Sequence, residues 1–261
     1  MIESVDDRGF PIQFENPPQR IVSLVPSLTE TLVDLGLEEQ IVGVTRFCIH
    51  PEHLRREKTR VGRTKGVRVD LILDLKPDVV IANLEENEAQ DVMALEIAGV
   101  PCWVCDVRSV ERAFTLLSDL GRLVGKAEKG EEMEKEARTT WAEGRKICYP
   151  GRDRLAAYAV WRDPWMWAGS DAYIQSVLSW WGWRTWPNSA RYPTHSMAEV
   201  REALVEEILL PSEPFPFKEV HQEECEGLPS RLVDGEVFSW YGSRMLQVPR
   251  HFMSLDEGKW S

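Results

Sequence analysis

Long apolar runs are missing from this 261-residue chain. None approaches the ~20 residues that a membrane-spanning helix needs, so no membrane insertion is expected. Positive charge is in deficit: 31 lysines and arginines face 43 aspartates and glutamates, a net charge of −12. That balance argues against a nucleic-acid partner, whose phosphates must be neutralised, and against docking on anionic lipid. Cysteine is scarce and odd in number, and Cys48, Cys102, Cys105, Cys148 and Cys225 follow no disulfide spacing. Cys102 and Cys105 form a C-x-x-C, but PCWVCDV reads as a strand, where residues three apart face opposite sides. A redox pair should instead open a helix. G-x-S-x-G, P-loop and dinucleotide glycine signatures are absent, which leaves nucleophilic and nucleotide chemistry without support. The opening MIESVDDRGF has neither the basic start nor the apolar core of an export signal. The chain as written is therefore expected in the cytoplasm, unless an export signal has been removed.

What is present is most telling at residues 20–50. RIVSLV is a short β-branched run, the mark of a buried strand. Pro26 stops it. Ser27 and Glu30 have the spacing of a capping box, and Leu28, Leu32, Leu35 and Leu37 form a helical stripe that ends at Gly36. IVGVT is a second strand. In an open parallel sheet the Pro26–Ser27 turn lies at the carboxyl end of the first strand, where such folds bind ligands.

Strand and helix patterns go on alternating: a helix at 69–76, a strand at 78–82, a helix at 88–98, a strand through PCWVC, and a Ser109-capped helix to 125. Residues 8–14 read as a small hairpin or edge segment and 46–64 as a charged loop. Residues 126–146 are helix-forming and highly charged, and would span roughly 30 Å. A second series follows: a strand at 154–160, a loop at 161–170, helices at 171–183 and 197–206, and a strand at 207–211. A Pro-rich loop comes next, then a last strand, a glycine turn and an aromatic loop. The fold class is α/β, as an N-terminal lobe (1–125), a linker helix (126–148) and a C-terminal lobe (149–261). Eleven tryptophans are unusual; most lie between 161 and 186, with Trp240 and Trp260 late. Packing accounts for many tryptophans, but less well for those in Pro- and Gly-rich loops.

RIVSLVPSLTETLVDLGL, IVGVTRFCIHP, VGRTKGVRVDLILDLKPDVVIAN, WRDPWMWAG and VDGEVFSWYGSR together resemble the class III periplasmic binding proteins, the helical-backbone metal receptors of ABC importers. The cobalamin-binding branch, in members without an export signal, is the nearest in kind. The resemblance implies two Rossmann-like lobes with parallel sheets, joined by one long helix, and a ligand cleft between the lobes. The ligand would be cobalamin or another metal chelate, with no intrinsic cofactor, no enzymatic activity and a monomeric chain. An ABC importer permease would be the partner. The resemblance places Phe47 against the ligand. Thr64 and Asn83 fall where such receptors carry tryptophans, so Trp165 and Trp167, or Trp240 and Tyr241, would replace those contacts. Asp70 falls on the first-lobe carboxylate used to dock on the transporter. Its second-lobe counterpart is Ala198 or Glu199, depending on register, and of the two only Glu199 is a carboxylate.

The candidate ligand-binding set is Pro26, Ser27, Arg46, Phe47, Asn83, Glu85, Trp161, Trp165, Trp167, Tyr192, Glu213, Phe215, Trp240 and Tyr241. Aromatic faces with a few polar groups suit a flat, amphipathic macrocycle. Arg162 and Phe217 share the same loops. Glu85 and Glu86 with Glu213 also allow a rival reading, a cytosolic hydrolase or chelate-processing protein; a cytosolic sensor or chaperone that hands the ligand to a partner is a third. As a plain alternative, Glu85 and Glu86 are acids at a helix start, favoured by its dipole. Cys48, His50 and His53, or His221 and Cys225, hint at metal, but neither set supplies four well-spaced ligands; no protein-bound metal is expected.

Overall fold

The computed structural model describes residues 1–149 and 151–255, so Trp260 lies outside the described residues. The chain divides into two compact units. The first holds Met1–Val107, Ala113–Ala137 and Tyr241–Arg244. The second holds Arg108–Arg112, Arg138–Trp240 and the residues from Met245 onward.

The first unit opens with an antiparallel hairpin, β1 (Ile2–Val5) and β2 (Pro11–Phe14). It starts earlier than the 8–14 segment suggested. Asp6 closes its turn: the buried carboxylate accepts from the Arg8 and Phe10 amides at 2.9 and 3.0 Å. The main sheet follows from β3 (Ile21–Ser23), α1 (Pro26–Asp34), β4 (Ile41–Val44), α2 (Leu54–Glu57), β5 (Thr59–Arg60), α3 (Val69–Asp74), β6 (Val79–Asn83), α4 (Ala89–Ile97) and β7 (Cys102–Cys105). Strand order is β5-β4-β3-β6-β7, with every pairing parallel. α2 and β5 lie in the stretch that reads as loop. β3, β6 and β7 are buried at every residue, as expected of strands covered on both faces. α5 (Val110–Leu123) and α6 (Ala127–Ile147) complete the series. Ser109 does cap α5, accepting from the Arg112 amide at 3.1 Å. Residues of α6 up to Ala137 group with the first unit and those from Arg138 with the second.

The start of α1 differs from the capping-box reading. Pro26 is itself the first helical residue, Val25 is the N-cap, and no side chain caps the helix. Proline is favoured at this position because its missing N–H would have no intrahelical partner anyway. Glu30 turns instead to Arg244. The helix end is as read. Gly36, at φ +82°, donates to the Val33 carbonyl and Leu37 to the Leu32 carbonyl, the paired bonds of a Schellman motif.

The second unit carries β8 (Leu155–Trp161), β9 (Met166–Trp167), α7 (Tyr173–Trp180), β10 (Arg184–Trp186), α8 (Met197–Glu202), β11 (Glu207–Pro211), α9 (Glu219–Glu223), β12 (Ser230–Val233), α10 (Gly235–Ser239) and α11 (Val248–Leu255). The order β10-β8-β11-β12 is parallel, and β9 folds back antiparallel on β8. So 161–170 is partly strand, and α7 and α8 end earlier than their patterns suggested. After β12 comes α10, not a glycine turn. Asp234 caps it, accepting from the Glu236 amide at 3.0 Å. Trp141, Trp181 and Phe252 pack in the core, and the Trp141 indole donates to the Met245 carbonyl at 2.7 Å. Glu207 is buried among cations: Arg231 and Arg154 pair with it, and the Trp183 indole donates to it. Among the described residues no helix is long and apolar enough to cross a membrane.

Candidate ligand-binding site

In the first unit the candidates gather at the carboxyl ends of β3, β4 and β6. Arg46 and Phe47 follow β4. Both are exposed, Phe47 at 41 %, and the guanidinium lies over the ring at 4.7 Å. Pro26 and Ser27 are buried at the start of α1, and among the described residues the Ser27 hydroxyl has no hydrogen-bond partner. Asn83 ends β6 and is 2 % exposed. Its side-chain oxygen Oδ1 accepts from the amides of Glu85 and Glu86 at 2.8 and 3.1 Å. Asn83 therefore positions the loop that bears the two carboxylates. Because α4 begins only at Ala89, Glu85 and Glu86 do not lie at a helix start, and the dipole explanation for them falls away. Asn87 cross-ties the same edge, accepting from the Asn83 amide and donating to the carbonyls of Leu24 and Thr64.

Tyr241 belongs to this unit through the returning segment Tyr241–Arg244. Its hydroxyl donates to Glu86 Oε1 at 2.7 Å. Burial first, then the Glu86 charge, pushes that hydroxyl far above the usual tyrosine range, so it stays a donor. The Ser243 amide donates to Thr31 Oγ1 at 2.9 Å, and Arg244 grips both oxygens of Glu30 at 2.8 Å. Gly242, at φ +92°, lies against the Thr31 hydroxyl, where a Cβ would collide.

In the second unit Trp161 ends β8. It is 44 % exposed and meets Phe215 edge-on at 5.4 Å. Phe215 packs on Phe217 at 4.7 Å. Trp165 is stacked on Trp167 and on Phe217, each at 5.6 Å. Trp167 is fully buried, and its indole donates to the His195 carbonyl at 2.9 Å. The stacking role suggested for Trp167 is thus corrected: it is core. Trp240 is also buried and donates to Glu213 Oε1 at 2.6 Å; Ser239 Oγ donates to the same oxygen at 2.8 Å. Burial raises the Glu213 carboxyl, with those two donors opposing. Tyr192 is half-buried between β10 and α8. Arg162 is ion-paired with Glu224.

Both docking candidates are surface carboxylates. Asp70 lies in the first turn of α3, paired with Arg68 at 3.4 Å. Glu199 closes a capping box with Ser196, and its hydrogen bond from His195 draws its carboxyl down to about 2. The suggested metal sets do not assemble. The Cys48 sulfur is buried within 3.1 and 3.4 Å of the hydroxyls of Thr29 and Thr45, while His53 Nε2 meets Glu38. His221 Nδ1 accepts from the Lys218 amide, and Cys225 donates to the His221 carbonyl. Ser239 and Asn87 hold site residues in place through contacts that no spacing in the sequence announces.

Two α/β units, each with a parallel sheet and aromatic residues at its strand ends, define a two-lobe binding-protein fold. The family model described as "Periplasmic binding protein" matches residues 21–201, and the chain belongs to that family. It is 29 % identical over 142 residues to a protein named "Vitamin B12-binding protein" from Vibrio campbellii, an alignment covering 54 % of this chain and 51 % of that one. It is 26 % identical over 175 residues to an uncharacterised ABC transporter substrate-binding lipoprotein of Bacillus subtilis, covering 64 % and 55 %. The chain thus spans about half the length of these curated relatives. The fold matches the periplasmic vitamin B12 binding protein of Vibrio cholerae with a TM-score of 0.77 at 19 % identity, over 91 % of this chain and 96 % of that one. It also matches a periplasmic heme-binding protein from Roseiflexus sp. RS-1, with a TM-score of 0.76 at 17 % identity over 90 % and 97 %.

Proposed function

We propose that this chain is a non-enzymatic binding protein for a metal-chelate macrocycle, a corrinoid in the first instance, and that it delivers its ligand to an ABC importer permease. The observation that carries this reading is the exposed pair at the end of β4, with the Arg46 guanidinium over the Phe47 ring. An aromatic face held out at a strand carboxyl end, beside a cation, suits a flat ring system with polar substituents. Trp161 with Phe215 offers a comparable exposed aromatic edge at the end of β8. The relatives named for vitamin B12 binding support the corrinoid class.

Two of the three carboxylates that an enzyme would use are engaged otherwise: Glu86 accepts from Tyr241, and Glu213 from Ser239 and Trp240. Asp70 and Glu199, exposed on α3 and α8, would meet the permease. The test is a titration of tryptophan fluorescence with cobalamin, cobinamide and haem. Saturable quenching by a corrinoid is expected. Quenching by haem alone would move the ligand class to haem, and none with any of the three would defeat the reading.

A further inference from the structure

We infer that Glu38, His53 and Glu57 form a divalent-metal site. Their ligand atoms all lie within 4.8 Å of one another. Around a tetrahedral ion with ~2.0–2.1 Å bonds, ligand atoms stand roughly 3.4 Å apart. Small rotations of the side chains would therefore place all three on one ion. His53 Nε2 already sits 2.7 Å from Glu38 Oε1.

Two short elements set this geometry. His53 is the N-cap of α2 and Glu57 its last residue, so they stand four apart on one helical turn and share a face. Glu38 opens the 3-10 turn Glu38–Gln40 that precedes β4. Each element is anchored beside its ligand by a buried leucine, Leu54 next to His53 and Leu37 next to Glu38. The backbone positions are thus fixed by the core while the side chains reach solvent, as a preformed site requires. The 3-10 turn enters β4 and α2 enters β5, so the cluster lies at the amino ends of those parallel strands. Arg46 and Phe47 follow the carboxyl end of β4. The metal site is therefore separate from the proposed ligand face, and it departs from the expectation of no protein-bound metal.

One imidazole and two carboxylates, with remaining positions open to water, suit Zn²⁺ and neighbouring first-row ions better than Ca²⁺, which takes only oxygen. Bound there, the ion would clip the 3-10 turn to α2.

The experiment is isothermal titration of the EDTA-treated, dialysed full chain with ZnCl₂, alongside thermal melts. One Zn²⁺ per chain and a raised Tm are expected. His53→Ala should abolish the uptake, and Glu38→Gln or Glu57→Gln should weaken it at least about tenfold. His221→Ala should leave it unchanged. All three ligand residues are solvent-accessible, so the variants should fold, which circular dichroism checks. No stoichiometric uptake, or uptake that survives His53→Ala, would overturn the site. Neither outcome bears on macrocycle binding, which is read separately by tryptophan quenching.

Discussion

The Tyr241 hydroxyl meets Glu86 Oε1 at 2.7 Å although the two residues stand 155 apart in the chain. This bond, the Arg244–Glu30 pair and the Ser243–Thr31 bond fasten the segment Tyr241–Arg244 to the strand-end face of the first unit. A hydrogen bond to a charged group is worth about 1.5–3 kcal/mol. Tyr241→Phe should lower unfolding free energy by about that amount in urea melts, and Gly242→Ala should be at least as damaging because its Cβ has no room. An unchanged melt for both would mean that the segment is not held as described.

Glu207 presents a different balance. It is 3 % exposed, with Arg231, Arg154 and the Trp183 indole around it. Removing one partner from such a buried set leaves uncompensated charge and costs about 3–5 kcal/mol. Glu207→Ala should therefore be among the most destabilising single changes in the second unit, whereas Arg56→Ala, in an exposed pair with Glu52, should cost less than about 1 kcal/mol. Chemical denaturation of both variants checks the contrast.

Little of this cross-chain bonding could be read from the sequence. The α/β alternation, the parallel sheets, the leucine stripe of α1 with its Gly36 stop and the Ser109 cap were all legible, because each rests on local spacing. β9 and β10 were not, since two- and three-residue strands carry no periodicity and exist only through pairing with β8. The helix start at Pro26 was misread for the opposite reason: a local signal, Ser27 with Glu30, was present, but Glu30 is drawn to Arg244, more than two hundred residues away. Among the aromatics the sequence could not separate Trp167, which the core covers fully, from Trp161, which is 44 % exposed. Both lie in the short stretch WRDPWMW, and only tertiary packing distinguishes them.

Glu213 gives a pH dependence whose sign is fixed. Burial raises its carboxyl in the folded protein, so the unfolded chain ionises first as pH rises. Stability should fall with rising pH from the ordinary carboxylate range up to the raised folded value. Glu213→Gln keeps an acceptor for Ser239 and Trp240 while removing the charge. It should be more stable than the parent above that window and level with it below. Thermal melts from acid to neutral pH follow the difference, and a parent that gains on the variant as pH rises would contradict the assignment.

Thiol chemistry should be slow in the native protein. Cys102 is 3 % exposed, and burial pushes its thiol up to about 12. Cys48 and Cys225 are also raised, by burial first. Since the thiolate is the reactive form, labelling with a chromogenic disulfide reagent should need denaturant. Rapid native labelling of Cys102 would show the strand to be open.

Macrocycle binding should depend most on the aromatic strand ends. Phe47 and Trp161 are exposed, so Phe47→Ala and Trp161→Ala should leave the fold intact. Each should weaken macrocycle binding by about 1–2 kcal/mol, roughly tenfold. The most direct measurement is tryptophan-fluorescence titration of the parent and Phe47→Ala with cobinamide and cobalamin. The parent should show saturable quenching at micromolar ligand, and the variant a curve displaced about tenfold. A flat parent titration, or identical curves for parent and variant, would contradict this expectation.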